Sequence, residues 1–427
     1  MRAAFRLWRR FAFTGGIRVT DVLAIIAFAA TTAVSLIVVS GVLAFYARGQ
    51  SSNDPEALLL FSLSLVAAAL LLPAVAVLAT AAVRLAVSRR DARLSALRLA
   101  GATRGQVTTI AVADAGLQAL IGALIGVGLS YVLTPAIALI NFQGRPFAPG
   151  ELTVPWWISL LCVAAVCLIG LGSALLSLIR VAISPLGVAE RVTPKGLSWI
   201  RAAVVVVALV AYGVVTNAGG AGVGVMIALL AIAVLAVIFV GPLIVMLAAT
   251  IVAKFAKSPA TLIAARRLQD DPRGAFNVVG AMSIAVMVGG LASLVSAFPD
   301  DGMADIATGA MLTIAISGVL GAVLAGVSQA AKILDQRGEY RALHLIGAEL
   351  GQLHSARIRE TSIPLIVMVG STFVGTIVLL TPMIGLWIGN PESVLTFIGM
   401  TLAACAIVVI ATLASSGLMR RVATQDA

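Results

Sequence analysis

A chain of 427 residues that is 61% hydrophobic and only 11% charged is not an ordinary soluble domain, since those carry about a quarter charged residues. Its formal net charge of +11 would suit a nucleic-acid partner, but the placement of the charges along the chain excludes that reading. Cys162, Cys167 and Cys405 lie inside apolar runs and read as packing residues. His344 and His354 have no companions at metal-ligand spacing, so no metal site is expected.

Residues 2–13 set Arg2, Arg6, Arg9 and Arg10 among Phe5, Leu7, Trp8 and Phe11. At helical spacing this gives an amphipathic helix along the cytoplasmic leaflet; a plain basic anchor is the alternative. The apolar run that follows, Asp21 to Tyr46, is too long for the core of a signal peptide and ends without a small-residue cleavage site. It is expected to stay as the first span. Crossing a bilayer takes about 20 apolar residues, and such runs recur to the end of the chain. Ten spans are expected, near 21–46, 58–86, 107–140, 154–180, 201–217, 222–253, 275–297, 306–331, 358–388 and 393–418. The chain is therefore expected to be an all-α polytopic membrane protein.

Charge tests this order, because basic residues collect in cytoplasmic loops. With the N-terminus inside, 27 of the 29 basic residues fall on the cytoplasmic side, and only Arg48 and Arg145 fall outside. Acidic residues such as Asp54, Glu56, Glu151, Asp300, Asp301, Asp305 and Glu392 mark the outer loops. The positive charge thus faces anionic lipid headgroups, and no nucleic-acid partner is expected.

One polar stretch occurs twice. "ALRLAGATRGQ" runs from Ala96 to Gln106, and "ALHLIGAELGQ" from Ala342 to Gln352. Extending the ungapped alignment brings Asp114 onto Glu360. Each copy follows the second span of a four-span block and precedes the third. The blocks are 1–182 and 256–427, and 183–255 supplies a two-helix hairpin between them. Four spans return the chain to its starting side, so the blocks are parallel repeats. In the first copy Ala96, Leu97, Leu99 and Ala100 form an apolar stripe among Arg93, Arg98 and Arg104. Gly101 and Gly347 permit a sharp bend. A short amphipathic helix of this kind suits docking into a groove on another protein. The plain alternative, a basic turn that only fixes topology, is disfavoured by the duplication.

In this setting "RRDARLSALRLAGATRGQVTTI", "DQRGEYRALHLIGAELGQLHSARIRE" and the basic lead-in "LIAARRLQDDPRGAFN" resemble the permease subunits of the FtsX/MacB-like ABC transporter superfamily. The pattern L-x-x-x-G-A-x-x-x-Q stands in both copies, and the resemblance covers both four-span blocks. It implies two FtsX-like repeats moved by a separate cytoplasmic ATPase, with two ATPase copies per chain. On this resemblance the docking residues are Arg93, Ala96, Leu97, Arg98, Gly101, Ala102, Arg104 and Gln106, then Arg341, Leu343, His344, Gly347, Ala348 and Gln352. The chain has no G-x-x-x-x-G-K-[ST] loop. It is expected to be no enzyme and to hold no cofactor, with ATP and Mg bound by the partner.

Loops 47–57 and 299–305 are too short for the extracytoplasmic domain that most such permeases carry there. A bare membrane core fits extrusion of a lipophilic or amphipathic compound, such as a drug, peptide or envelope lipid. The alternative is an ATPase-driven switch for a cell-wall hydrolase or sensor kinase that transports nothing. The expected location is a bacterial plasma membrane, with both termini cytoplasmic. Three smaller features read as structural. Gly122 with Gly126, and Ser371 with Gly375, have the spacing of close helix packing. Asp114 and Glu360, near span ends, are expected to cap or to pair with nearby arginines. Without a carboxylate at the centre of a span, an ion-coupled antiporter is disfavoured.

This topology has a direct check. Single cysteines at Ser52 and Asp301 are expected to react with an impermeant thiol reagent from outside, and one at Ser95 is not. Outside labelling of Ser95 refutes it.

Overall fold

The computed structural model describes residues 19–52, 55–88, 103–148, 150–183, 223–295, 301–335, 350–380 and 391–414. Its helices are α1 (Val19–Ser52), α2 (Pro55–Ser88), α3 (Arg104–Ala138), α4 (Trp156–Ile183), α5 (Val223–Lys254), α6 (Pro259–Asp270), α7 (Pro272–Val295), α8 (Asp301–Asp335), α9 (Leu350–Leu380) and α10 (Pro391–Ala414). Among the described residues the only β pairing is one isolated bridge, Phe142 to Arg145. The protein is an all-α polytopic membrane protein.

Every expected span except 201–217 falls on one of these helices, and 201–217 lies outside the described residues. Among the described residues, six helical segments are long and apolar enough to cross a bilayer: Asp21–Gln50, Val112–Ala138, Val237–Lys254, Thr308–Ala330, Ser355–Ile377 and Val394–Leu413. Shorter apolar segments, Leu60–Ala69 and Trp156–Gly172, lie in α2 and α4. The helices run beyond the apolar stretches, so the expected loop 47–57 is mostly helical. α1 continues through Ser52 and α2 begins at Pro55, where the fixed backbone angle of proline suits a first helical turn.

The helices fall into two compact units. In the first, α1 packs against α2, α3 and α4. The seam is built of small residues, with Ala24, Ala27, Ala29 and Ala33 on α1 and Ala115, Ala119 and Ala123 on α3, all buried. Gly122 and Gly126 complete it. A methyl group on Gly122 would lie 2.8 Å from the Ile25 carbonyl oxygen, and one on Gly126 would lie 2.5 Å from that of Ala29. The expected packing role of this glycine pair is therefore met inside the unit. The outward faces are apolar instead of charged, with Val132 72% exposed and Leu168 68% exposed. Such a surface is stable against lipid and unstable in water. Trp156 and Trp157, both exposed at the start of α4, stand where aromatic residues gather at a membrane interface.

The second unit holds α5, α6, α7, α9, α10 and α8 as far as Ala322. α7 is its hub, touching α5, α9 and α10. The Phe276 ring of α7 fills the space where Gly241 of α5 lacks a side chain. Ile314 of α8 does the same over Gly289, and Thr376 of α9 over Gly290. Ser371 and Gly375 differ from expectation. Among the described residues nothing lies within 4 Å of a methyl group placed on Gly375, which is exposed, so no close helix contact is made at Gly375 there.

The α3–α4 connection folds into a small cap over the end of α1, at the end that the charge pattern places outside. Gln143 and Gly144 take positive φ values of 57° and 70° and turn the chain between bridged Phe142 and Arg145, the geometry of a two-residue hairpin. Phe142, Phe147 and Leu152 bury against Ala44, with Phe45 packed edge-on to both phenylalanines. Arg48 holds this cap. Its side chain is 3% exposed and ion-paired with Glu151. Its Nη1 donates to the Phe142 carbonyl at 3.0 Å, and the guanidinium lies 4.5 Å from the Phe147 ring centre. One of the two basic residues outside the inward pattern is thus neutralised and buried rather than facing water.

The hydrogen bond from Arg48 holds the Glu151 carboxyl below its ordinary range; burial opposes this, and the Ala148 N–H adds to it. A folded value below the unfolded one gives stability that is present above the ordinary carboxylate range and lost as pH falls through the folded value. Glu151→Gln is expected to destabilise the cap by about 2 kcal/mol at neutral pH and to flatten its acid dependence. Fluorescence of the neighbouring Trp156 and Trp157 against pH reads both; an acid transition unchanged in the variant refutes the assignment.

Candidate functional site

The two copies of the repeated stretch lead into α3 and α9. α3 begins with a capping box. Thr103, extended at φ −72° and ψ 155°, accepts from the Gln106 N–H at 3.4 Å, and the Gln106 side chain accepts from the Thr103 N–H at 3.0 Å. Two otherwise orphaned donors are thereby satisfied. Gln106, expected as a docking residue, has this cap as its observed contact. Arg104 is the first helical residue of α3, and Gln352 lies in the first turn of α9. Arg93, Ala96, Leu97, Arg98, Gly101, Ala102, Arg341, Leu343, His344, Gly347 and Ala348 lie outside the described residues.

Gly105 is the second residue of α3, and its aligned partner Gly351 lies in α9 beside the first described residue of that helix. Both are exposed, and no atom lies within 4 Å of a methyl group placed on either. A glycine inside a helix costs about 1 kcal/mol relative to alanine. Among the described residues, no packing offsets this at either position.

About ten residues into α9 the polar groups close into a clamp. Glu360 is buried and lies 3.7 Å from Arg267 of α6, so it pairs with an arginine as expected. Arg359 donates to the hydroxyls of both Ser258 and Thr261. Ser258 is also the N-cap of α6, accepting from the Thr261 N–H. At the other end of α6, Gln269 donates to Thr250 of α5 at 3.3 Å. α6 is thus fastened to α9 at its start and to α5 near its end. Sequence reasoning placed Arg359 only in the inward charge pattern. The Ser258-Pro259 pair, a helix-start signal, was the available clue to α6. In the first unit, Gln118 of α3 donates to Asp21 of α1 at 2.8 Å.

Residues 65–186 match the family described as FtsX-like permease C-terminal. This match of residues 65–186 supports the likeness to the FtsX/MacB-like ABC permease superfamily. The matched span runs from within α2 to just beyond α4, and the first repeated stretch lies inside it. An FtsX-like permease is a non-enzymatic membrane subunit of an ABC system, whose partner is an ABC ATPase. Comparison with curated proteins gives no match.

Proposed function

We propose that this FtsX-like permease extrudes a lipophilic or amphipathic compound from a bacterial plasma membrane, and that two cytoplasmic ATPases drive it from its two repeated stretches. Both termini then lie in the cytoplasm. ATP and Mg belong to the ATPases, in keeping with the missing phosphate loop. The observation that carries the reading is the matched pair of open glycines, Gly105 and Gly351, in the first turns of α3 and α9. Each costs helix stability and is open among the described residues, as suits a surface that a second backbone approaches closely. The apolar outward faces of α3 and α4 favour a substrate taken sideways from the bilayer. The regulatory reading draws support from the folded cap, which offers an outer surface tied directly to α1.

Stoichiometry tests the docking. Native mass spectrometry of the permease with its ATPase is expected to give one chain with two ATPases. Gly105→Trp and Gly351→Trp each remove one ATPase, and the double variant removes both. The corresponding alanine variants gain up to about 1 kcal/mol of helix stability yet bind the ATPase more weakly than the parent, though less so than the tryptophan variants. Undiminished ATPase binding by the double tryptophan variant defeats the proposal.

Export is tested separately. The complex in vesicles loaded with the compound that co-purifies is expected to lose it when ATP is added. Full ATP turnover with no loss supports the regulatory reading instead.

A further inference from the structure

The corner between α5 and α6 carries a surface that the transport reading does not use. The apolar segment of α5 ends at Lys254. Lys254, Phe255 and Lys257 are all exposed there, Phe255 at 77%. The exposed stripe of α6 continues the surface through Leu262 and Arg266, and exposed Arg273 follows at the start of α7. The acidic residues exposed nearby, Asp270 and Asp271, lie at the far end of α6. The opposite face of α6, formed by Ala260, Ala264, Ala265 and Leu268, is buried.

We propose that this corner docks anionic phospholipid and that α9 responds to its occupancy. A large exposed aromatic ring between two lysines, where an apolar span ends, meets acyl chains and phosphates side by side in an anionic leaflet. Phe255 and Leu262 enter the boundary between headgroups and acyl chains, as the apolar face of an interfacial helix does. Lys254, Lys257 and Arg266 face the phosphates, each raising local anionic lipid occupancy about fivefold. The buried side of the same helix carries the response. Arg359 of α9 holds Ser258 and Thr261, and Glu360 lies against Arg267. Lipid that fixes α6 therefore also fixes the opening turns of α9, which follow the second repeated stretch. No ATPase is needed for this, so it stands apart from the transport reading.

Hydrogen exchange of the full chain tests it, in nanodiscs of phosphatidylcholine alone and of equal parts phosphatidylcholine and phosphatidylglycerol. Phosphatidylglycerol is expected to slow exchange in both Pro259–Asp270 and the first turns of α9. The triple variant Lys254→Gln/Lys257→Gln/Arg266→Gln matches the parent in phosphatidylcholine and loses the phosphatidylglycerol effect by a factor of at least about ten. Arg359→Ala keeps the effect on α6 and loses it on α9; Thr261→Val, a milder change, weakens the α9 effect alone. Equal exchange of the parent chain in the two lipids, or a triple variant that still responds, overturns the docking surface. An undiminished α9 response in Arg359→Ala overturns the transmission to α9.

Discussion

Within the hydrocarbon layer no water is available, so every polar group must be satisfied by the chain itself. The hydroxyls of this protein show the consequence. Thr31 donates to the Ala27 carbonyl at 2.7 Å, Thr32 to Phe28 at 3.0 Å, Thr376 to Thr372 at 2.8 Å and Thr412 to Val408 at 2.9 Å, each one turn back along its own helix. These residues are buried, and each finds an acceptor within its own helix. Contact between helices is then left to van der Waals packing, because lipid is as apolar as any side chain and gives no hydrophobic drive. Packing of that kind rewards close approach, which explains the alanine and glycine seam between α1 and α3. It also suits the inter-helix polar ties seen among the described residues, each of which has one partner near a helix end. Asp21 with Gln118, Arg48 with Glu151, and Arg359 with Ser258 are such ties.

What could be read from the sequence follows from the same physics. Spans are local properties of composition, so apolar runs located the helices well. The start of α3 was legible because a capping box is local too, with Thr103 and Gln106 three residues apart. Ends and partners were less legible. Helices continue past the apolar layer wherever backbone bonds allow, as α1 does through Ser52, and hydropathy carries no signal of it. The cap was missed because its core joins Ala44 to Phe142, Phe147 and Leu152, residues far apart in the chain with no shared period. Arg48 looked like an exception to the inward charge pattern because its partner, Glu151, is 103 residues away. Arg359 and Ser258 are separated by 101 residues, so the clamp on α9 was equally invisible. Of the candidate docking residues, Gln106 is the one whose side-chain contacts are described, and its capping role was legible in the spacing Thr103-x-x-Gln106.

The first unit has a mechanical consequence that rests on one helix. α1 is tied near its start through Asp21 to Gln118 of α3, and near its end through Arg48 to the cap that joins α3 to α4. At 1.5 Å per residue, the rise from Asp21 to Arg48 is about 40 Å, close to the full thickness of a bilayer with its headgroups. Both ties are polar and lie in or beside low-dielectric surroundings, where breaking one partner is costly. The seam between them is packed against backbone at Gly122 and Gly126, so α1 and α3 cannot slide past each other without separating. A displacement applied at the start of α3 is therefore carried to the cap as a movement of the α1–α3 pair. No chain of side-chain rearrangements across the membrane is required. Under either function proposed above, transport or regulation, the same packed pair is the element that would carry the load.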